Sequence, residues 1–285
     1  MRFTWADSAL TDDQSFTILK AALTAGVNVW NGAGFYGTPE NNSLHLMQRY
    51  FSIYPEDAEK VVLTIKSGIR DINPVTLDAS PSFLRQQVAT ANRILAGTKK
   101  IDLFGPGRID KNVPVEKTVK ALAEMVAEGQ IGGIQLSEVN PETIRLASAV
   151  AKIDMVETEI NMWAMQVFQN GVADICAELD IVMAGHTPLS AGMLTRKVKG
   201  IEELAVPAYY RQLPKFQPEN LRKNYELITA LETLTTAKGK PGMPVIIPVS
   251  GASSVERAVE NSKDVELTEE GLEEVDAILS SFTGK

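Results

Sequence analysis

Seven short apolar runs, each separated from the next by a segment with helical spacing, constrain the fold of this chain more than anything else in it. The runs predict strands over 27–31, 60–66, 101–104, 131–137, 154–158, 181–185 and 244–248. Helices are expected over 39–52, 81–96, 114–128, 141–151, 165–179 and 218–237, with a short one from about 254 and a closing one near 268–281. Ahead of the first strand, Phe16, Leu19 and Leu23 share a helix face that Asp12 or Asp13 can cap and Gly26 ends. Strictly alternating strands and helices imply a parallel sheet with right-handed crossovers. With 285 residues and no composition break, the expectation is one α/β barrel domain over residues 1–285. A closed barrel of this kind has eight strands. The segment before Asp12 is polar, with Phe3 and Trp5 its bulkiest apolar residues, and supplies no full strand. A gap between strands 27–31 and 244–248 is therefore expected.

Active sites of such barrels sit at the carboxyl ends of the strands. There the first strand runs into Asn31-Gly-Ala-Gly-Phe-Tyr-Gly37, where glycines at 32, 34 and 37 let the chain turn and present Tyr36 in a loop. The next strand ends on Lys66, a charge that a strand buried on both faces accepts only where it opens into a pocket. An ammonium about 4 Å from a phenol interacts with it by roughly 4 kcal/mol at an effective dielectric near 20. That suits the phenol to proton transfer. A tyrosine in such a loop also serves as an ordinary rim residue, and a lysine at a strand end as a surface charge. The two together on successive strands favour chemistry.

Composition narrows the partners. A net charge of −8 argues against nucleic acid and anionic membranes, and no apolar run approaches the roughly 20 residues of a membrane span. The single cysteine, Cys176, excludes an internal disulfide framework and points to a reducing compartment, the cytoplasm. With only His45 and His186 and no paired cysteines, no metal site is expected. His45, beside Leu44 and Met47, reads as structural, and Met162, Trp163, Met165 and Phe168 read as core or rim packing.

The tyrosine loop and the strand-end lysine resemble those of the aldo-keto reductase family, most closely its pyridoxal reductases of yeasts and other fungi. The resemblance runs from about Phe3 to Phe282 and omits the family's amino-terminal hairpin and first strand. It implies a (β/α)8 TIM barrel and a catalytic group in which Tyr36 is the acid and Lys66 its partner. The family's aspartate position falls on Asn31 and its histidine position on Gly107. Asn31 can hydrogen-bond Lys66, but as a neutral amide it leaves the ammonium's charge uncompensated.

Ile247-Pro-Val-Ser-Gly-Ala-Ser-Ser-Val-Glu-Arg-Ala-Val-Glu-Asn261 reads as a strand end, a loop of small residues and the start of a helix. Free N–H groups at a helix start suit an anion, and Arg257 adds a planar phosphate contact, although a serine-capped surface helix explains the same residues. The resemblance places the adenosine 2′-phosphate site here, with Gly251, Ser253, Arg257, Glu260 and Asn261, and so implies NADPH as the cofactor. By the same resemblance Leu189, Ser190 and Gly192, in the loop Thr187–Thr195, hold the pyrophosphate and His186 faces the nicotinamide. Ser137, with Glu138 beside it, and Glu157 bind the carboxamide, Glu157 standing where glutamine is usual. The resulting expectation is NADPH-dependent reduction of a small aldehyde, with pyridoxal the best guess. The alternatives are a reductase for another aldehyde or ketone and a nucleotide-binding barrel without turnover.

Overall fold

A computed structural model describes residues 3–4, 10–72, 74–195, 216–217, 220, 223–224, 226–227, 246–263 and 269–283. Its large sheet is built from β1 (Val29–Ala33), β2 (Val62–Ser67), β5 (Leu103–Pro106), β6 (Gly133–Ser137), β7 (Met155–Glu159), β8 (Val182–His186) and β9 (Ile246–Val249). These strands neighbour one another in that order, every pair parallel. The helices are α1 (Asp12–Thr24), α2 (Ser43–Ile53), α3 (Pro81–Leu95), α4 (Val115–Ala127), α5 (Pro141–Ser148), α6 (Val172–Glu178), α7 (Val255–Glu260) and α8 (Glu269–Thr283).

The sheet is rolled. β1 and β7 are four strand intervals apart, about 19 Å in a flat sheet. Yet the Asn31 side chain on β1 donates to the Glu157 carboxylate on β7 at 2.6 Å. That contact requires the two strands to face each other across a barrel interior. The outer layer follows the same curve, for α2 packs on α3, α3 on α4, α4 on α5 and α5 on α6, and α1 meets α7. Among the described residues β1 and β9 pair with one neighbour each and form the two ends of the sheet. Among the described residues the sheet is thus a seven-stranded near-barrel whose end strands are β1 and β9.

Period-two alternation assigns the side chains on β1. Trp30 points outward and joins Phe16, Tyr50, Phe51 and Tyr54 in an aromatic cluster under α1 and α2. Its neighbour Asn31 therefore points inward, in register with Thr64 and on the same face as Lys66. Beneath the cluster lies Asp57, only 1% exposed, which accepts from the Tyr50 hydroxyl at 2.8 Å, from Lys20 of α1 at 2.6 Å and from Lys60 at 2.9 Å. One carboxylate so ties α1 and α2 together.

Several local expectations need correcting. The cap of α1 is Thr11, in a reciprocal capping box with Gln14, while Asp12 and Asp13 lie in the first turn. The helix expected over 165–179 is broken into a short 3-10 turn, Gln166–Phe168, and α6, because Gly171 takes a left-handed φ of 87° between them. An antiparallel hairpin of β3 (Ile69–Ile72) and β4 (Val75–Leu77), additional to the expected strands, follows β2. Its exposed Ile72 and Val75 carry no buried-strand pattern to announce it. The helix expected near 218–237 lies largely outside the described residues.

Candidate active site

The loop after β1 is held from three sides. Ser43, the first residue of α2, accepts from the Ala33 N–H at 2.9 Å and donates to the Ala33 carbonyl at 2.8 Å. The Tyr36 carbonyl accepts from the Ser43 N–H at 3.0 Å and from the Thr4 hydroxyl at 2.7 Å. Gly37 has φ +125°, and a Cβ there would lie 2.4 Å from the Asn41 carbonyl, so the turn after Tyr36 requires glycine. The phenol is thereby presented at the mouth of the barrel, where the Lys66 ammonium lies 5.4 Å from its ring centre.

Lys66 is 6% exposed and Glu157 2%. They form an ion pair in the interior, and the second oxygen of Glu157 accepts from Asn31 at 2.6 Å. Burial by itself would lower the Lys66 pKa. The charge interactions and hydrogen bonds with Tyr36 and Glu157 outweigh it and hold that pKa above the ordinary lysine value. Two sequence expectations change here. Asn31 donates to Glu157 instead of accepting from Lys66, and the ammonium's charge is compensated, by a carboxylate expected to serve the cofactor.

The close approach of the strands around Lys66 depends on Gly105, its register partner on β5. A Cβ on Gly105 would lie 1.7 Å from the Gln135 carbonyl, and the Gln135 side chain passes over it to donate to the Ile65 carbonyl on β2 at 2.8 Å. A Cβ on Gly107, at the position the resemblance gives to histidine, would lie 3.7 Å from the side chains of Phe35 and Ile69. The neighbouring Arg108 folds back, donating to the Gly107 carbonyl at 2.5 Å and lying 3.5 Å from the Ser137 hydroxyl. The sequence by itself gives Arg108 no role. Its only signal was a basic residue just past a strand's carboxyl end.

On the opposite wall, Ser137 at the end of β6 is 1% exposed and in register with Glu157. Glu138, the next residue, has a left-handed φ of 53° and meets the His186 ring at 2.5 Å, while the other ring nitrogen lies 2.9 Å from the Thr187 hydroxyl. Burial raises the Glu138 pKa, but His186 and Arg108 outweigh it and hold the carboxyl below its ordinary range.

The loop after β8 continues in unusual backbone, with Thr187 at φ 56°, Ser190 at 45° and Gly192 at 97°. Leu189 is half-buried, and its carbonyl accepts from the Gly192 N–H at 2.9 Å. Ser190 is fully buried and its hydroxyl has no partner among the described residues. Register pairs His186 with Val249, so the loop after β9 lies alongside. There Gly251 has open space where a Cβ would stand, and the Ser253 hydroxyl accepts from Arg257 at 2.9 Å. Ser254 caps α7, Glu260 is exposed at its end, and Asn261 follows as its C-cap.

Glu157 thus joins Lys66 and Asn31, and Tyr36 stands at the lysine, whereas the other residues expected to hold the cofactor lie on the elements from β6 to α7. The family model for the aldo/keto reductase family matches residues 1–280. A Schizosaccharomyces pombe protein named "Probable pyridoxal reductase 2" is 34% identical over 299 residues, covering 98% of this chain and 89% of its own. A glycerol dehydrogenase structure from Gluconobacter oxydans superposes with a TM-score of 0.79 at 22% identity, covering 97% of this chain and 88% of that one. An aldo-keto reductase from Bacillus halodurans, in its holo form, superposes with a TM-score of 0.70 at 17% identity, covering 94% and 87%. At such identities the structural likeness speaks for the fold alone, and it agrees with the rolled parallel sheet. By sequence over nearly its whole length, the chain belongs to the aldo/keto reductase family.

Proposed function

We propose that this protein is an NADPH-dependent reductase of small aldehydes, with pyridoxal as the substrate to test first. The observation that carries the reading is the meeting of Tyr36 and Lys66 at the carboxyl end of the barrel, the phenol half-buried and the ammonium buried and paired. The name of the fission-yeast relative supports pyridoxal among possible aldehydes.

The residues at the mouth fit a dinucleotide. The buried Ser190 hydroxyl lacks a partner among the described residues, and Gly251 has no neighbour in its Cβ direction, so backbone and hydroxyl can approach a phosphate closely. Arg257, steadied by Ser253, supplies a cation where the adenosine end would carry its extra phosphate. Leu189, Gly192, Glu260 and Asn261 would complete that binding strip, with Ser137 and His186 nearer the reacting end. A reduced nicotinamide bound there would supply hydride to the carbonyl carbon.

Tyr36 then gives its proton to the carbonyl oxygen as that carbon is reduced, and the alcohol results. Lys66 stabilises the negative charge left on the phenol oxygen, and a proton from solvent restores the phenol. NADPH oxidation followed at 340 nm with pyridoxal tests the reading, alongside other small aldehydes and ketones. Tyr36→Phe should lower kcat by roughly 10²–10⁴-fold with NADPH affinity nearly unchanged. Retention of more than about a tenth of the activity would mean that another group donates the proton. NADPH binding without oxidation of any carbonyl would favour a nucleotide-binding barrel without turnover.

A further inference from the structure

We propose that Glu157 is the charge-compensating and positioning residue of the Tyr36–Lys66 pair, a carboxylate supplied across the barrel from β7, and not a ligand for the cofactor's carboxamide. What the pair accomplishes rests on the reductase reading. The compensation itself does not.

The geometry leaves little choice. Glu157 is 2% exposed and both of its oxygens are engaged, one by the Lys66 ammonium and the other by the Asn31 amide at 2.6 Å. With each oxygen already engaged, a carboxamide bound there would have to share an oxygen with Lys66 or Asn31. A buried ammonium, for its part, persists only with an opposite charge and hydrogen bonds close by. β1, the strand beside β2, places Ala33 in register with Lys66 and the neutral Asn31 two residues before it on the same face. Asn31 serves by orienting Glu157: its N–H holds one oxygen, which fixes the rotation that brings the other to Lys66. The counter-charge and its orienting amide thus come from opposite walls of the barrel.

Few charged groups face this lysine. The Tyr36 phenol approaches from the loop after β1 and Glu157 from β7. β5 presents Gly105, and β6 presents the neutral Gln135 and Ser137, with Arg108 lying on Ser137. Removing the carboxylate therefore leaves the phenol as the only partner among these able to carry negative charge.

Full-length E157Q and N31D/E157Q test this, the second variant returning a carboxylate to the site from β1. The first readout needs no turnover: lysine side-chain ¹⁵N NMR titrated with pH, the Lys66 signal assigned with K66M. The second is the pH profile of kcat with NADPH and pyridoxal. In E157Q the Lys66 proton should leave at a pH lower by at least about one unit, and the alkaline limb of kcat should move with it. In N31D/E157Q both should return towards wild type. If E157Q does not fold, recovery of a folded protein with a wild-type Lys66 titration in N31D/E157Q supports the same conclusion. A Lys66 titration unmoved in E157Q, with NADPH affinity altered instead, would overturn the proposal in favour of a carboxamide ligand. A shift in E157Q that N31D/E157Q does not reverse would overturn it too, because the role would not be one of charge. Should wild type oxidise no NADPH while Lys66 titrates as stated, the proposed function falls and the compensation stands.

Discussion

Asp57→Asn should cost about 2.4 kcal/mol of stability at pH 7, and the loss should shrink in acid. Burial of this carboxyl acts against its ionisation, but Lys20, Lys60 and the Tyr50 hydroxyl outweigh that and hold its pKa at about 2, against an ordinary 3.8. A depression of about 1.8 pH units, at about 1.36 kcal/mol each, gives the figure. Lys20 and Lys60 are 41% and 57% exposed, so solvent screens these pairs and the figure is an upper one. The sign follows from a folded-state pKa below the unfolded one. The contribution is complete above the unfolded value and is lost as pH falls through the folded one. Linkage then leaves about 2.2 kcal/mol at pH 4 and roughly 1.3 kcal/mol at pH 3. Urea unfolding of wild type and D57N at pH 7, 4 and 3 measures this, because other titrating groups cancel in the difference. A gap below about 0.5 kcal/mol at pH 7, or one unchanged between pH 7 and pH 3, would refute the claim that the ionised carboxylate ties α1 and α2 together.

Arg257→Ala should weaken NADPH by roughly 1.5–3 kcal/mol and leave NADH little affected, by fluorescence titration of each cofactor. Equal losses would show that Arg257 supports its loop and does not read the extra phosphate. Gly105→Ala should destabilise the fold by about 1–3 kcal/mol or more, since its Cβ would lie 1.7 Å from backbone that cannot turn aside. A thermal midpoint equal to wild type would mean that β5 and β6 separate easily. Hydrogen exchange should be faster in β1 and β9, which each pair with one neighbour among the described residues, than in β6, which pairs on both sides. Equal strong protection in all three would show that another segment or another chain completes the barrel.

The order of elements was legible in the sequence because each obeys a local rule. Apolar runs make buried strands, glycines such as Gly26 end helices, and strict alternation admits a parallel sheet with crossovers. The seven strands of the sheet were legible for the same reason. Tyr36 and Lys66 could be singled out because each lies at a strand's carboxyl end, a place that barrel architecture makes special. The hairpin β3–β4 was not legible since Ile72 and Val75 remain exposed and give no buried-strand pattern, nor was the break before α6, because a helical pattern runs through Gly171 unaltered.

What only tertiary structure decided is which side chains meet across the barrel. Asn31 and Glu157 are 126 residues apart, and Lys66 and Glu157 are 91 apart. Alternation along each strand says that all three point inward, but not which levels of opposite walls coincide. That depends on the register of every strand pair between β1 and β7, accumulated around the curve and made possible by glycine at 105. The carboxylate serving Lys66 had no neighbour in sequence to betray it, because a buried charge is compensated by distance in space and not along the chain.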